Sequence, residues 1–244
     1  MRDFITALEF LTRIRFSNRK DWHEDDFSRS VPYFPLVWRI MGILMVTINF
    51  LLNILMTPVF MRAVLLILVE LFIIGALMYD GFMDTADGVF SARNRERCLE
   101  IMKDSHVGSN AVIALVCLVL LKVAAFTCIM PLDLTHSLVG LFVTTRTILV
   151  LYVVNYPYAR ESGLGKMFKE YAKTWYTYLA FIICLLILLA LGLKFFYCGI
   201  ITIVLTQAIA QFLVKQLGGL TGDTYGFLTE CGFVIYLLAA VYLL

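Results

Sequence analysis

Charge is what this sequence has least of. Asp, Glu, Lys and Arg make up 16% of its 244 residues, against roughly a quarter in an ordinary soluble domain, which excludes a water-exposed globule of this length. Histidine is scarcer still: His23, His106 and His136 are the only three, without ligand spacing, and the six cysteines form no Cys-x-x-Cys pair. Both facts argue against imidazole or thiolate metal centres and against a disulfide framework. There is no internal repeat, no low-complexity tract and no compositional break marking a second, soluble domain. Residues 1–15 lack the long apolar core and small-residue cleavage site of a secretory signal, so the segment is expected to be retained.

What is abundant is apolar sequence, at 61% of residues and a mean hydropathy of +0.87. Long apolar runs, each near the ~20 residues that cross a bilayer, place seven spans at residues 36–56, 62–79, 110–130, 136–155, 176–193, 198–214 and 226–244. The last is short in its apolar part, which fits either a tilted span or an interfacial end helix. The expected fold is therefore an all-α, polytopic membrane bundle forming one transmembrane catalytic domain over residues 1–244.

Lys and Arg are distributed unevenly about those spans. Residues 1–35, 80–108, 156–175 and 215–225 hold 6, 4, 4 and 1 of them, whereas the opposite side holds only Arg62 and Lys194. The positive-inside rule puts the N-terminus and the long polar loops in the cytoplasm, as in the inner membrane of a prokaryote. Phe4, Leu8 and Leu11, with Ile5, Ile14 and Arg15, suggest an amphipathic N-terminal helix lying on that leaflet as a surface anchor. Asp21, Glu24, Asp25 and Asp26 read as a solvated acidic loop.

Asp80, Asp84 and Asp87 stand at i, i+4 and i+7 directly after an apolar run, between Gly81 and Gly88. At ~100° per residue the three carboxylates lie within about 60° of one another on a helix face. Such a row repels itself unless a cation sits in it, and an all-oxygen site suits Mg²⁺. Asp104 is a fourth candidate carboxylate. Arg93, Arg95, Arg97 and Lys103 follow the row and could meet phosphate oxygens. Two glycine-rich loops, residues 155–166 with Arg160 and residues 218–226 with Asp223, would let backbone N–H groups approach an anion closely.

Six blocks in order carry a resemblance to a known family: Phe10-Leu11-Thr12-Arg13, residues 29–36, residues 80–88, residues 99–105, Tyr158-Ala159-Arg160 with Gly163-Leu164-Gly165, and residues 218–226. The chain resembles the cobalamin synthases, or adenosylcobinamide-GDP ribazoletransferases, over nearly its whole length. It departs from the family pattern at Tyr79, where a histidine often stands, at His106, where arginine is common, and at Trp38-Arg39, where small residues are usual. The resemblance implies that adenosylcobinamide-GDP is joined to α-ribazole or its 5′-phosphate. A hydroxyl of the acceptor attacks the cobinamide-bound phosphorus and GMP leaves. Such phosphoryl transfer is served mainly by positioning and charge neutralisation.

On that reading Asp80, Asp84, Asp87 and Asp104 are candidate Mg²⁺ ligands. Lys103, Arg93 and Arg160 would offset charge on the leaving GMP, and Asp87 or Asp223 would take the acceptor proton. Arg13, Ser105, Arg146, Lys166, Gly219, Thr221 and Thr224 complete the candidate substrate contacts. Membrane lipid surrounds the chain, no nucleic acid partner is implied, and a homo-oligomer or a complex with other nucleotide-loop enzymes is compatible with the resemblance.

Glu70, Lys122 and Arg146 fall inside predicted spans at a shared depth of about 14–18 Å. Isolated charges there cost at least about 2.5–3.5 kcal/mol each, so a contact of Glu70 with Lys122 or Arg146 is expected, leaving one surplus positive charge. Two other classes are weighed. A CDP-alcohol phosphatidyltransferase needs Asp-Gly-x-x-Ala-Arg, which Asp84-Thr85 does not match, and a transporter would show repeat symmetry that is not visible.

Overall fold

The computed structural model describes residues 2–16, 24–170 and 172–244. Among them it consists of helices, with one isolated bridge between Tyr158 and Leu220. The helices are α1 (Arg2–Leu11), α2 (Glu24–Ser30), α3 (Phe34–Ile54), α4 (Val59–Ile74), α5 (Leu77–Phe90), α6 (Arg95–Ile101), α7 (Ser109–Cys128), α8 (Pro131–Asn155), α9 (Leu164–Glu170), α10 (Trp175–Leu191), α11 (Leu193–Leu217) and α12 (Gly222–Leu243). Prolines open several of them: Pro35 and Pro131 stand in the first turns of α3 and α8, and Pro58 caps α4. There the missing N–H costs nothing.

Of the seven spans that hydropathy implies, four helices are long and apolar enough to cross a bilayer: α7, α8, α11 and α12. α4 and α5 pass that test only as a pair, bent by 97°. The span expected to continue to Tyr79 stops at Ile74, because Gly75 adopts φ +79° and closes α4 with its N–H on Leu71 O. The apolar part of α3 runs only over Ile40–Ile54, and α10 has 17 residues. The C-terminal segment, expected to be marginal, is instead a 22-residue helix.

α8 is the axis of the bundle. Its apolar stretch is 83% buried, against 28% for α7 and 33% for α11, and it packs on α3, α10, α11 and α12. α10 turns Tyr178, Ile182, Leu186 and Leu189 outward, as a lipid-facing helix does. In such a bundle small residues and satisfied polar groups hold helices together, since lipid is as apolar as leucine. Two buried threonines of α8 follow that rule by donating to carbonyls of their own helix, Thr145 to Leu141 O at 2.9 Å and Thr147 to Val143 O at 2.9 Å.

The N-terminal helix departs from the surface-anchor expectation. Thr6, Ala7, Leu8, Glu9 and Leu11 are buried, and α1 packs on α2 and α3, so one face meets protein rather than headgroups. Of the acidic segment expected to be solvated, Asp21 lies outside the described residues, as do the side chains of Glu24 and Asp25. Asp26 is fully buried and paired with Arg29 at 2.8 Å and Arg2 at 3.3 Å. Those two arginines draw it inward.

Deep in the bundle the expected Glu70 contact is present: Lys122 Nζ lies 3.2 Å from Glu70 Oε1. The expected surplus charge is not. Glu230 on α12 adds a second acid, 2.7 Å from Lys122 Nζ, and Arg146 sits in the field of both carboxylates. Tyr79 OH accepts from Lys122 at 2.9 Å, and the ammonium stands 3.8 Å from the Phe233 ring centroid. Two acids and two bases balance. The count of depth missed Glu230, which stands only four residues past the expected start at residue 226, because α12 begins earlier, at Gly222, and carries Glu230 about 12 Å in.

Candidate active site at the crossing of α5 and α12

Two glycines let α5 and α12 meet backbone to backbone. A Cβ on Gly81 would lie 2.7 Å from Asp223 O, and one on Gly226 would lie 2.8 Å from Met78 O. Phe82 and Phe227 stack beside the crossing at 5.0 Å and 12°. Both glycines serve helix approach, whereas the sequence reading gave those of residues 218–226, Gly226 among them, to anion approach. The result is that the start of the Asp row and Asp223, at the first turn of α12, share one small volume.

The loop preceding α9 is tied to the same place. Ala159 N donates to Leu220 O at 2.8 Å and Leu220 N to Pro157 O at 2.8 Å, so the two glycine-rich loops form one two-stranded seam. Gly219 fits against Pro157 O, where a Cβ would stand only 2.7 Å away. Arg160 Nη2 thereby reaches Asp223 Oδ2 at 2.7 Å. Thr221 and Thr224 cap α12 reciprocally: Thr224 N donates to Thr221 Oγ1 at 3.2 Å and Thr221 N to Thr224 Oγ1 at 2.7 Å. Their polar atoms hold the helix end.

The three carboxylates of the row have different surroundings. Asp80 is exposed, Asp84 half-buried and Asp87 buried. α5 leaves the direction of α4 by 97°, and its residues from Asp80 on follow the span expected at residues 62–79. There burial, together with the neighbouring charges of Asp80 and Asp223, pushes Asp84 up to about 7. Asp87 has another occupation, accepting from Gly108 N and, at 3.1 Å, from Ala111 N. It caps the N-terminus of α7, satisfying amides that would otherwise lack partners.

The remaining predicted residues divide. Arg13 lies over the α4–α5 break, its backbone N–H on Ile73 O at 2.8 Å and its side chain against Gly75. Arg93, Lys103, Asp104, Ser105 and Lys166 are exposed. Asp104 bonds His106 Nδ1 at 2.6 Å, an association that lowers the Asp104 pKa and raises that of His106. Lys166 donates to Glu161 O at 2.8 Å, and Arg95 packs on Gly218. Arg146 belongs to the buried charge cluster, away from these loops.

A cavity of about 210 Å³ opens beside the crossing. Asp80, Asp223 and Arg160 supply its charged part, while Phe10, Phe34 and Phe168 supply apolar walls. Phe168 is ringed by aromatic neighbours, with centroids at 4.5 Å to Phe10, 5.4 Å to Phe27 and 5.6 Å to Phe34. Sequence reading missed these walls. Phenylalanine in so apolar a chain carries no mark that separates a lining ring from a lipid-facing one.

Oxygen donors in a self-repelling set suit a hard divalent cation, and the mutual repulsion of Asp80, Asp84 and Asp223 that helps raise Asp84 is what such a cation would relieve. Among the described residues, no three His, Cys, Asp or Glu side chains close on one point as a finished ligand shell would. The donor chemistry fits, with Asp80, Asp84 and Asp223 the nearest set, and Asp87 and Asp104 are engaged elsewhere.

A family model described as cobalamin-5-phosphate synthase matches residues 3–241. Among curated proteins, the adenosylcobinamide-GDP ribazoletransferase of Clostridium novyi is 35% identical, covering 98% of this chain and 96% of its own length. The protein of that name from Desulforamulus reducens is 38% identical, covering 92% and 90%. The one from Fusobacterium nucleatum is 32% identical, covering 97% and 96%. No solved structure matches the chain.

Proposed function

The chain belongs to the cobalamin-5-phosphate synthase family, and from that membership we propose that it joins adenosylcobinamide-GDP to α-ribazole or its 5′-phosphate. A ribose hydroxyl of the acceptor forms a bond to the cobinamide-bound phosphorus. The bond from that phosphorus to the bridging oxygen breaks, GMP leaves with the electron pair, and the hydroxyl proton passes to a carboxylate. The products are adenosylcobalamin, or its 5′-phosphate, and GMP. The observation that carries this reading is the α5–α12 crossing, which brings Asp80 together with the Asp223–Arg160 pair at one cavity, with Asp84 in the field of all three.

Asp80 and Asp84 would hold Mg²⁺, with Asp223 adjacent. The cation supplies charge neutralisation on the diphosphate. Arg160 binds phosphate oxygens through a planar guanidinium already oriented by Asp223. Its Nε is buried without a hydrogen-bond partner, which leaves a donor for a ligand. Asp223 is the better proton acceptor of the two candidates, since both Asp87 oxygens are taken by amides of α7. Exposed Lys103 and Arg93 draw the anionic donor toward the site. The excess of Lys and Arg in these loops supports a cytoplasmic position for this face, in the inner membrane of a prokaryote.

The test is conversion of adenosylcobinamide-GDP plus α-ribazole by membranes carrying the chain, with Mg²⁺ or with EDTA. Metal-dependent release of GMP in step with a cobalamin product is expected. Folded protein that makes neither product with any divalent cation would overturn the reaction. A transporter reading loses its main support, because the buried charges are internally paired.

A further inference from the structure

The cavity has a polarity that the reaction alone does not explain. One part carries Asp80, Asp223 and Arg160, and the other is walled by phenyl rings, with Tyr225 also in the lining. Tyr225 is 5% exposed, and its hydroxyl is buried without a hydrogen-bond partner among the described residues. Tyr158, also in the lining, lies against Gly163 and Gly165. A buried hydroxyl left unpaired is costly, so Tyr225 points to a ligand that brings one hydrogen-bonding atom to an otherwise apolar enclosure.

Size and polarity narrow that ligand. An apolar protein cavity of about 150 Å³ takes up benzene, so a cavity of about 210 Å³ admits a two-ring heterocycle and not a corrin macrocycle. Guanine, the base of the leaving nucleotide, carries donors and acceptors around its whole edge. Against phenyl walls most would lose their partners, which strongly disfavours binding. A benzimidazole whose first ring nitrogen is committed to ribose has a single acceptor left, matching the single free hydroxyl. Its ribose, extending toward Asp223 and Arg160, would place a hydroxyl beside the carboxylate.

We propose that this cavity is the subsite for the flat aromatic base of the acceptor nucleoside, walled by Phe10, Phe34 and Phe168, with the Tyr225 hydroxyl donating to the free ring nitrogen. The assignment rests on the reaction proposed above and deepens it by dividing the substrates: acceptor base in the cavity, donor diphosphate at its charged mouth, corrin outside.

The test is a two-substrate kinetic analysis of the full chain in membranes, comparing wild type with Tyr225→Phe and Phe10→Leu. Both changes are conservative in volume, and either one decides the matter if the other fails to accumulate. The KM for α-ribazole is expected to rise about 3–10-fold in Tyr225→Phe, the loss appropriate to one neutral hydrogen bond, and to rise in Phe10→Leu as well. The KM for adenosylcobinamide-GDP should stay within about twofold. Acceptor KM values that do not move, or a rise in donor KM equal to or larger than that for the acceptor, would overturn the subsite while leaving the reaction intact. Wild-type membranes that release no GMP would instead overturn the parent reading.

Discussion

Two clusters of charge lie close together in this molecule and have opposite characters. Glu70, Lys122, Glu230 and Arg146 are buried, two acids against two bases, with Lys122 held at 3.2 Å and 2.7 Å by the two carboxylates. At the α5–α12 crossing, Asp80, Asp84 and Asp223 gather where, among the described residues, Arg160 is the one paired base, bonded to Asp223, and Asp84 is pushed up to about 7 by burial and its neighbours. The first cluster is closed and neutral, as a membrane interior demands. The second is open and short of positive charge, so a ligand or cation has something to complete. The lesson is that imbalance, more than the presence of buried charge, marks the site. The clusters are linked through α5: Tyr79, in the closed cluster, immediately precedes Asp80 in the open one.

Breaking the closed cluster has the largest expected effect on stability. Lys122→Met leaves Glu70 and Glu230 without their shared cation, a change worth about 3–5 kcal/mol in buried pairs. Thermal unfolding in detergent should show a large drop, with partial recovery when Glu230→Gln is added. A single variant as stable as wild type would break the contrast.

Next in size is the crossing itself. Gly81→Ala would put a methyl group 2.7 Å from Asp223 O, and overpacking of this kind costs about 1–3 kcal/mol. Because the strain falls on the residue that aligns Asp223 with the row, turnover should fall more than stability does. Measuring both on the same preparation separates the two.

A smaller effect sharpens the open cluster. The Asp84 carboxyl has its pKa raised from 3.8 to about 7 in the fold, so the folded protein keeps a proton that the unfolded chain has released. Without divalent cation, stability is therefore lost as pH rises from about 4 to 7, with no further loss above that range. Asp84→Asn should remove this component, so that the variant gains on wild type across that window in EDTA-treated samples. Parallel curves for the two proteins would contradict it.

The smallest effect concerns an exposed pair. His106 titrates above 6.5 because Asp104 holds it at 2.6 Å. Its stabilising contact is complete below 6.5 and is lost as pH rises through the folded value. In Asp104→Asn the His106 midpoint, followed by NMR, should move down toward 6.5 while the unfolding temperature stays put.

The contrast also explains what sequence could disclose. Helical class, the place of Asp80, Asp84 and Asp87 on one helix and the Glu70 contact were legible, because periodicity and the cost of buried charge leave marks in one dimension. The diversion of Asp87 to cap α7 was not, because i, i+7 spacing says nothing of which amides another helix presents. Gly226 read as an anion-approach residue, yet it is the residue at which the backbone of α12 meets that of α5. Glu230 hid in a segment expected to be marginal. Phe10, Phe34 and Phe168 come from three distant segments and converge only through the docking of α1 and α9.

The most direct test of the account is GMP release from adenosylcobinamide-GDP and α-ribazole by Asp84→Asn, normalised to folded protein and set beside its unfolding temperature. The account predicts a loss of about 100-fold or more, the scale of removing one preorganised electrostatic contact, with stability equal to or above wild type. Activity near wild type in a stable Asp84→Asn protein would contradict it and show that the open cluster is not where phosphorus is transferred.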